Sequence, residues 1–158
     1  MDRVPMKFPV HIPFVTALGF ELLRFDNGEA EIALTPTDEQ LNGWSVLHGG
    51  VSMTLLDVVM AHAARSVGVS SADAAGAIAP ADVRGVATIE MKTSFMRPAL
   101  GRVIAKGRLL TQTHTMAFCE ASLFDAGGAL LAHATGTFKY LRALPVGERQ
   151  LKRINASD

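Results

Sequence analysis

The stretch HGGVSMTLLDVVMAHAARSVG, residues 48–68, decides the fold. Gly49-Gly50 opens it and Gly68 ends it. Between them stand Val51, Met53, Leu55, Leu56, Val58, Val59, Met60, Ala61, Ala63 and Ala64. A run of this length reads as a helix rather than a strand, reaching to about Val67, with Gly68 as its stop. Apolar residues on every side of a helix imply burial on every side. The run is interrupted by Asp57 and His62, and it is shorter than the roughly 20 residues a bilayer span needs.

Upstream, Pro5, Pro9 and Pro13 break the chain, and Phe14 to Leu18 reads as a short helix ending near Gly19. Phe20 to Phe25 and Glu29 to Leu34 flank Asp26-Asn27-Gly28, and Asn-Gly between two such runs is a strong hairpin signal. Pro36 closes the second strand, and Asp38 to Val46 forms a polar connection to the helix. Downstream, Ser70 to Gly85 is rich in Ala, Ser, Gly and Asp and reads as a surface loop. The period then becomes two. Val86 to Phe95, Arg102 to Gln112, Thr115 to Phe124 and Ala129 to Tyr140 read as four strands. The order is hairpin, one long buried helix, then four strands. One helix covers one face of a sheet, so the economical packing is an α+β fold with a long antiparallel sheet wrapped around the helix. The other sheet face is left needing a partner, which predicts an oligomer.

The chain has 158 residues, the size of one domain, with a core expected over about 19–141 and a tail, 142–158, that reads as a short helix or frayed end. At 49% apolar and 19% charged residues, an ordered globular fold is expected. The formal net charge is zero, so no basic excess points to nucleic acid. The lone cysteine, Cys119, has no partner for an internal disulfide, and the opening MDRVPMKFPVHIPF lacks the apolar run of a signal peptide. A cytoplasmic protein without membrane segments is expected.

Asp57 is the outlier in the helix. Its neighbours three and four residues away are Met53, Thr54, Met60 and Ala61, with no Lys or Arg among them. An isolated buried carboxylate is costly to ionise, and perturbed carboxylates collect at functional sites. The alternative is a carboxylate on an open strip of the helix, or one bonded to Ser or Thr on a neighbouring strand. His48-Gly49-Gly50 precedes the helix. Glycines there admit a ligand close to the backbone, and free N–H groups at a helix N-terminus suit a developing oxyanion. The alternative is a plain turn with a cap. Eight residues separate Gly49 from Asp57, or roughly 12 Å of helix. That is too far for both to act on one carbonyl, so if both serve one substrate, Asp57 comes from a second subunit. His11, His62, His114 and His133 show no metal-ligand spacing, and no phosphate-binding glycine loop or nucleophile elbow is present. Arg102, Lys106 and Arg108 alternate onto one strand face, as a phosphate-binding stripe or a solvated face.

The run LNGWSVLHGGVSMTLLD resembles the signature of the hotdog-fold thioesterases of the phenylacetate-degradation type: an Asn, then His-Gly-Gly six residues on, then an acid nine after the His. Here these are Asn42, His48-Gly49-Gly50 and Asp57. ATIEMKTSFMRPALG and ALLAHATGTFKYL are similar to that family's later strands. The resemblance implies a hotdog fold, a homodimer often paired into a homotetramer, and hydrolysis of acyl-CoA with no cofactor beyond the substrate's own coenzyme A and no metal. It places Asp57 on the nucleophile or general base, and the Gly49 N–H on the donor that polarises the thioester carbonyl. His48 and Asn42 fall on orienting residues, and Thr88 on a hydroxyl that positions water. Met53, Met60, Phe95 and Phe118 are expected to line an apolar acyl pocket, and Gly50, Arg97, Arg102 and Arg108 to contact the substrate as well. The rival readings are a hotdog hydratase or dehydratase, and a non-catalytic acyl-CoA sensor.

Overall fold

The computed structural model describes residues 3–70 and 83–142. Two helices, α1 (Pro13–Ala17) and α2 (Gly49–Arg65), accompany six strands: β1 (Glu21–Asp26), β2 (Glu29–Leu34), β3 (Val86–Phe95), β4 (Val103–Gln112), β5 (Met116–Asp125) and β6 (Leu130–Tyr140). The expected elements are all present, with boundaries shifted by a residue or two. Most of the anticipated 70–85 loop and nearly all of the tail lie outside the described residues.

The strands form one antiparallel sheet in the order β1-β2-β4-β5-β6-β3. Asn27 and Gly28, both with positive φ (35° and 92°), turn β1 into β2, as a tight right-twisting hairpin demands. The Gly28 N–H donates to Ser66 Oγ at 2.8 Å, tying the hairpin to the end of α2. The chain then crosses under the sheet as α2 and resumes at the opposite edge, so that α2 touches every strand. Leu55, Leu56, Val59, Met60 and Ala63 of the helix are fully buried against inward residues such as Ile32, Ala105, Ala121 and Phe138. Contact is closest at Gly107 of β4. A Cβ there would stand 2.8 Å from the Val59 carbonyl oxygen, so only glycine lets the helix backbone lie on this strand.

Two expectations change. The helix is not closed on all sides: Gly50, Met53, Thr54, Asp57 and Ala61, at helical spacing, remain partly open. The outer sheet face is mixed rather than uniformly bare, and it leaves Phe118 exposed. It carries polar side chains that satisfy one another, including Arg108 with Glu120, and Thr137 donating to Glu90 at 2.6 Å. The unsatisfied feature is an edge. Met6 donates a backbone hydrogen bond to Leu22 on the β1 side, whereas the free edge of the ten-residue β3 pairs with nothing among the described residues and exposes Ile89. No helix among the described residues is long and apolar enough to cross a membrane.

Candidate active site

The open stripe of α2 forms one wall of a cleft of about 520 Å³, with α1 and β3 supplying the others. Asp57 lies half-buried in this wall, and Thr88 of β3 donates its hydroxyl proton to Asp57 Oδ1 at 2.8 Å. Burial pushes the Asp57 carboxyl above the usual aspartate value, and the Thr88 hydrogen bond pulls it part of the way back. The structure therefore gives Asp57 the alternative environment on both counts, an open strip and a bond to a threonine on a neighbouring strand, and the expected isolation is only partial. A half-buried carboxylate with one donor and a raised pKa is equipped to take a proton from water or to attack a carbonyl.

His48 is the N-cap of α2. Its Nδ1 accepts from the Gly50 N–H at 2.8 Å, so that nitrogen carries no proton. Gly50 is thereby used up as a donor, while the Gly49 N–H finds no acceptor among the described residues. At the positive end of a 17-residue helix, Gly49 is thus the open donor for an incoming anion or polarised carbonyl. Asn42 Oδ1 accepts from the backbone of Trp44 at 2.9 Å and of Val46 at 3.4 Å, which shapes the turn leading into His48. Asn42 and Gly49 line a second groove of about 350 Å³ together with Phe95 and Arg97. On one chain, Asp57 and Thr88 thus face one groove, and Gly49 and Asn42 another.

The remaining sequence-derived contacts divide. Met53 and Gly50 line the Asp57 cleft, whereas Phe95 and Arg97 belong to the Gly49 groove. Met60 is corrected: it is fully buried in the core, its Sδ-methyl near Gly136, and it lines neither groove. Phe118 is corrected too, since it alternates with buried Ala117 and Cys119 and so points to the outer sheet face. The basic stripe is largely spent. Arg102 pairs with Glu21 at 2.5 Å and Arg108 with Glu120, which leaves little charge there for a phosphate. Helical periodicity gives the face of a residue only where one face is open, and Met60 lies on the closed side. Two cleft residues went unanticipated as site groups, His62 and Arg65. Arg65 is the only Lys or Arg in α2, eight positions after Asp57. A search limited to helical neighbours three or four away passes over it.

The sequence profile of the thioesterase superfamily matches residues 45–132, spanning both the α2 N-terminus and Asp57. The chain belongs to the thioesterase superfamily. This thioesterase is 31% identical over 146 residues to the medium/long-chain acyl-CoA thioesterase YigI of Salmonella typhimurium, covering 87% of this chain and 92% of that one. Over 55 residues, 35% of this chain and 39% of the other, it is 36% identical to the acyl-coenzyme A thioesterase PaaI of Escherichia coli. The structure of the PaaI protein from the E. coli phenylacetic acid degradation operon superposes with a TM-score of 0.68 at 20% identity, covering 81% and 83% of the two chains. The architecture is accordingly the hotdog fold: an antiparallel sheet around one main helix.

Proposed function

We propose that this thioesterase hydrolyses an acyl-CoA to the free carboxylic acid and coenzyme A, with Asp57 as the base or nucleophile and the Gly49 N–H as oxyanion donor. The carrying observation is the pairing of a raised, threonine-held carboxylate in an apolar cleft with an unfilled N–H at the start of the same helix. The helix end stabilises negative charge developing on the thioester oxygen. Asp57 then takes a proton from water as the water attacks, or attacks the carbonyl itself to give an anhydride that water opens. Either route expels the thiolate, which leaves as coenzyme A once protonated.

The separation of Asp57 and Gly49 into two grooves supports a site completed by a second copy, with Gly49 of one subunit facing Asp57 of the other. The free edge of β3 favours a dimer in which that edge meets its twin, with pairing into a tetramer as a further step. Arg97, exposed at the rim of the Gly49 groove, is the remaining candidate for the anionic part of coenzyme A. The mainly apolar cleft, together with the medium- and long-chain activity in the name of the YigI relative, supports a chain of medium length as the acyl group. A cytoplasmic setting suits the single cysteine, which is buried and whose thiol burial pushes up to about 12.

Coenzyme A release from a panel of acyl-CoAs tests the reading. The native chain should turn over at least one of them, and Asp57→Ala should lose about 10²–10⁴-fold in kcat. Native-rate hydrolysis by Asp57→Ala would sink the mechanism. Tight acyl-CoA binding without turnover by the native chain would point to a sensor, and hydration of an enoyl-CoA to a hydratase.

A further inference from the structure

Among the described residues, Arg65 is a charged side chain with nothing to hold. It is 92% buried at the last turn of α2, on the wall of the Asp57 cleft, and its Nε and Nη1 have no hydrogen-bond partner. No ion pair involves it among the described residues. A guanidinium stays protonated in proteins, so the charge is not relieved by losing a proton. The negative end of the α2 dipole eases its burial but supplies none of the missing acceptors. A buried cation without a partner destabilises a fold unless something brings an anion to it. His62, one turn before, does not compete for that anion. Its Nδ1 donates to the Val58 carbonyl at 2.7 Å, the rings of Phe8 and Phe25 pack against it, and burial holds its pKa down to about 3, so it is neutral. Among the described residues, Arg65 is therefore the one formal cation on a cleft wall that is otherwise mostly apolar, with Asp57 as its one anion.

We propose that Arg65 is a specificity residue that receives a carboxylate at the far end of the acyl chain, so that the preferred substrates are ω-carboxyacyl-CoAs, the monothioesters of dicarboxylic acids. This rests on the thioesterase reading above and names the substrate class. Asp57, Ala61 and Arg65 follow one another at helical spacing along the cleft wall. A thioester carbonyl held at Asp57 directs its acyl chain past Ala61 toward the guanidinium. Asp57 and Arg65 are separated by roughly 12 Å of helix, and helical side chains lean back toward the N-terminus, which suits a chain of roughly six to eight carbons. A carboxylate of that chain offers the planar two-oxygen face that a guanidinium fork matches. An uncharged chain of equal length leaves Arg65 buried and unpaired, and is disfavoured for that reason.

The test compares adipoyl-CoA with hexanoyl-CoA and suberoyl-CoA with octanoyl-CoA, for the native chain, Arg65→Met and Arg65→Lys. The native chain should favour the carboxylated member by about tenfold or more in kcat/KM, the order expected for a charged hydrogen bond. Arg65→Met should reverse the preference, with the larger loss falling on adipoyl-CoA and suberoyl-CoA, and Arg65→Lys should restore part of it. A native preference for the uncharged member overturns the proposal. So does an equal loss on all four substrates in Arg65→Met, which would mean that Arg65 holds the common coenzyme arm. Binding is read separately, from thermal shifts with non-hydrolysable ω-carboxyalkyl-CoA and alkyl-CoA thioethers of equal length. Stabilisation by the carboxylated thioether that vanishes in Arg65→Met upholds the role of Arg65 even if no substrate is hydrolysed, an outcome that would defeat the thioesterase reading alone. Equal stabilisation by both thioethers counts against Arg65. Should Arg65→Met not fold, Arg65→Gln serves in its place in both measurements.

Discussion

Asp57 answers to opposing influences, burial raising its pKa and the Thr88 hydroxyl lowering it. The sign of its pH dependence follows. A base or nucleophile acts as the carboxylate, so kcat/KM should fall as pH drops through a value above that of an ordinary aspartate. In Thr88→Ala the hydroxyl no longer favours the ionised form, so the acid limb should move to higher pH, and Thr88→Ser should move it back. A limb that stays in place in Thr88→Ala would show that the 2.8 Å contact does not tune the acting group. At this scale the sequence was legible where a residue breaks its surroundings. Asp57 interrupts an apolar run, and a hydroxyl partner on a neighbouring strand was one expectation for it, but the family likeness offered Thr88 only as a group that positions water. Arg65 escaped because a basic residue in the last turn of a helix is ordinary. Only its burial without partners makes it unusual, and burial is a tertiary fact.

Between elements, the decisive contact is α2 lying on β4. At Gly107, an added methyl would meet the Val59 carbonyl at 2.8 Å, and the obstacle is backbone rather than a side chain able to swing away. Gly107→Ala should therefore cost about 1–3 kcal/mol, and lower Tm by about 2–4 °C for each kcal/mol in a chain this size. Gly43→Ala, where a methyl meets nothing within 4 Å, is the matched control and should leave Tm nearly unchanged. An unchanged melting point for Gly107→Ala would mean that helix and strand stand further apart. The helix and the strands themselves were readable from period and length. The approach at Gly107 was not, because a glycine in a strand looks the same from sequence whether it weakens the strand or admits a neighbour. The irregular pairing near Ile89, between Thr88 and Glu90 of β3, was equally hidden, since an extra residue in a strand leaves no compositional mark.

For the whole molecule, the question is whether one active site takes residues from two copies. The eight-residue spacing on α2 raised it, and the two separate grooves of one chain sharpen it. The helix itself provides a clean way to remove the Gly49 donor. Gly49 is the first residue of α2, where proline fits without breaking the helix, and His48 before it already has φ −61° and ψ 135°, a conformation proline allows. A side chain at position 49 would meet Phe95 only at ordinary contact distance. Gly49→Pro should thus fold, lack the N–H and be nearly inactive, as Asp57→Ala should be for its own reason. Unfolding the two variants together and refolding them gives about half mixed dimers. In each mixed dimer, one site combines the intact Gly49 of the Asp57→Ala chain with the intact Asp57 of the Gly49→Pro chain, and the other site has neither. Activity should recover to about one quarter of the native value, the statistical share for a site shared across a two-fold axis. If both residues served a substrate from the same chain, every site in the mixture would lack one of them, and nothing would recover.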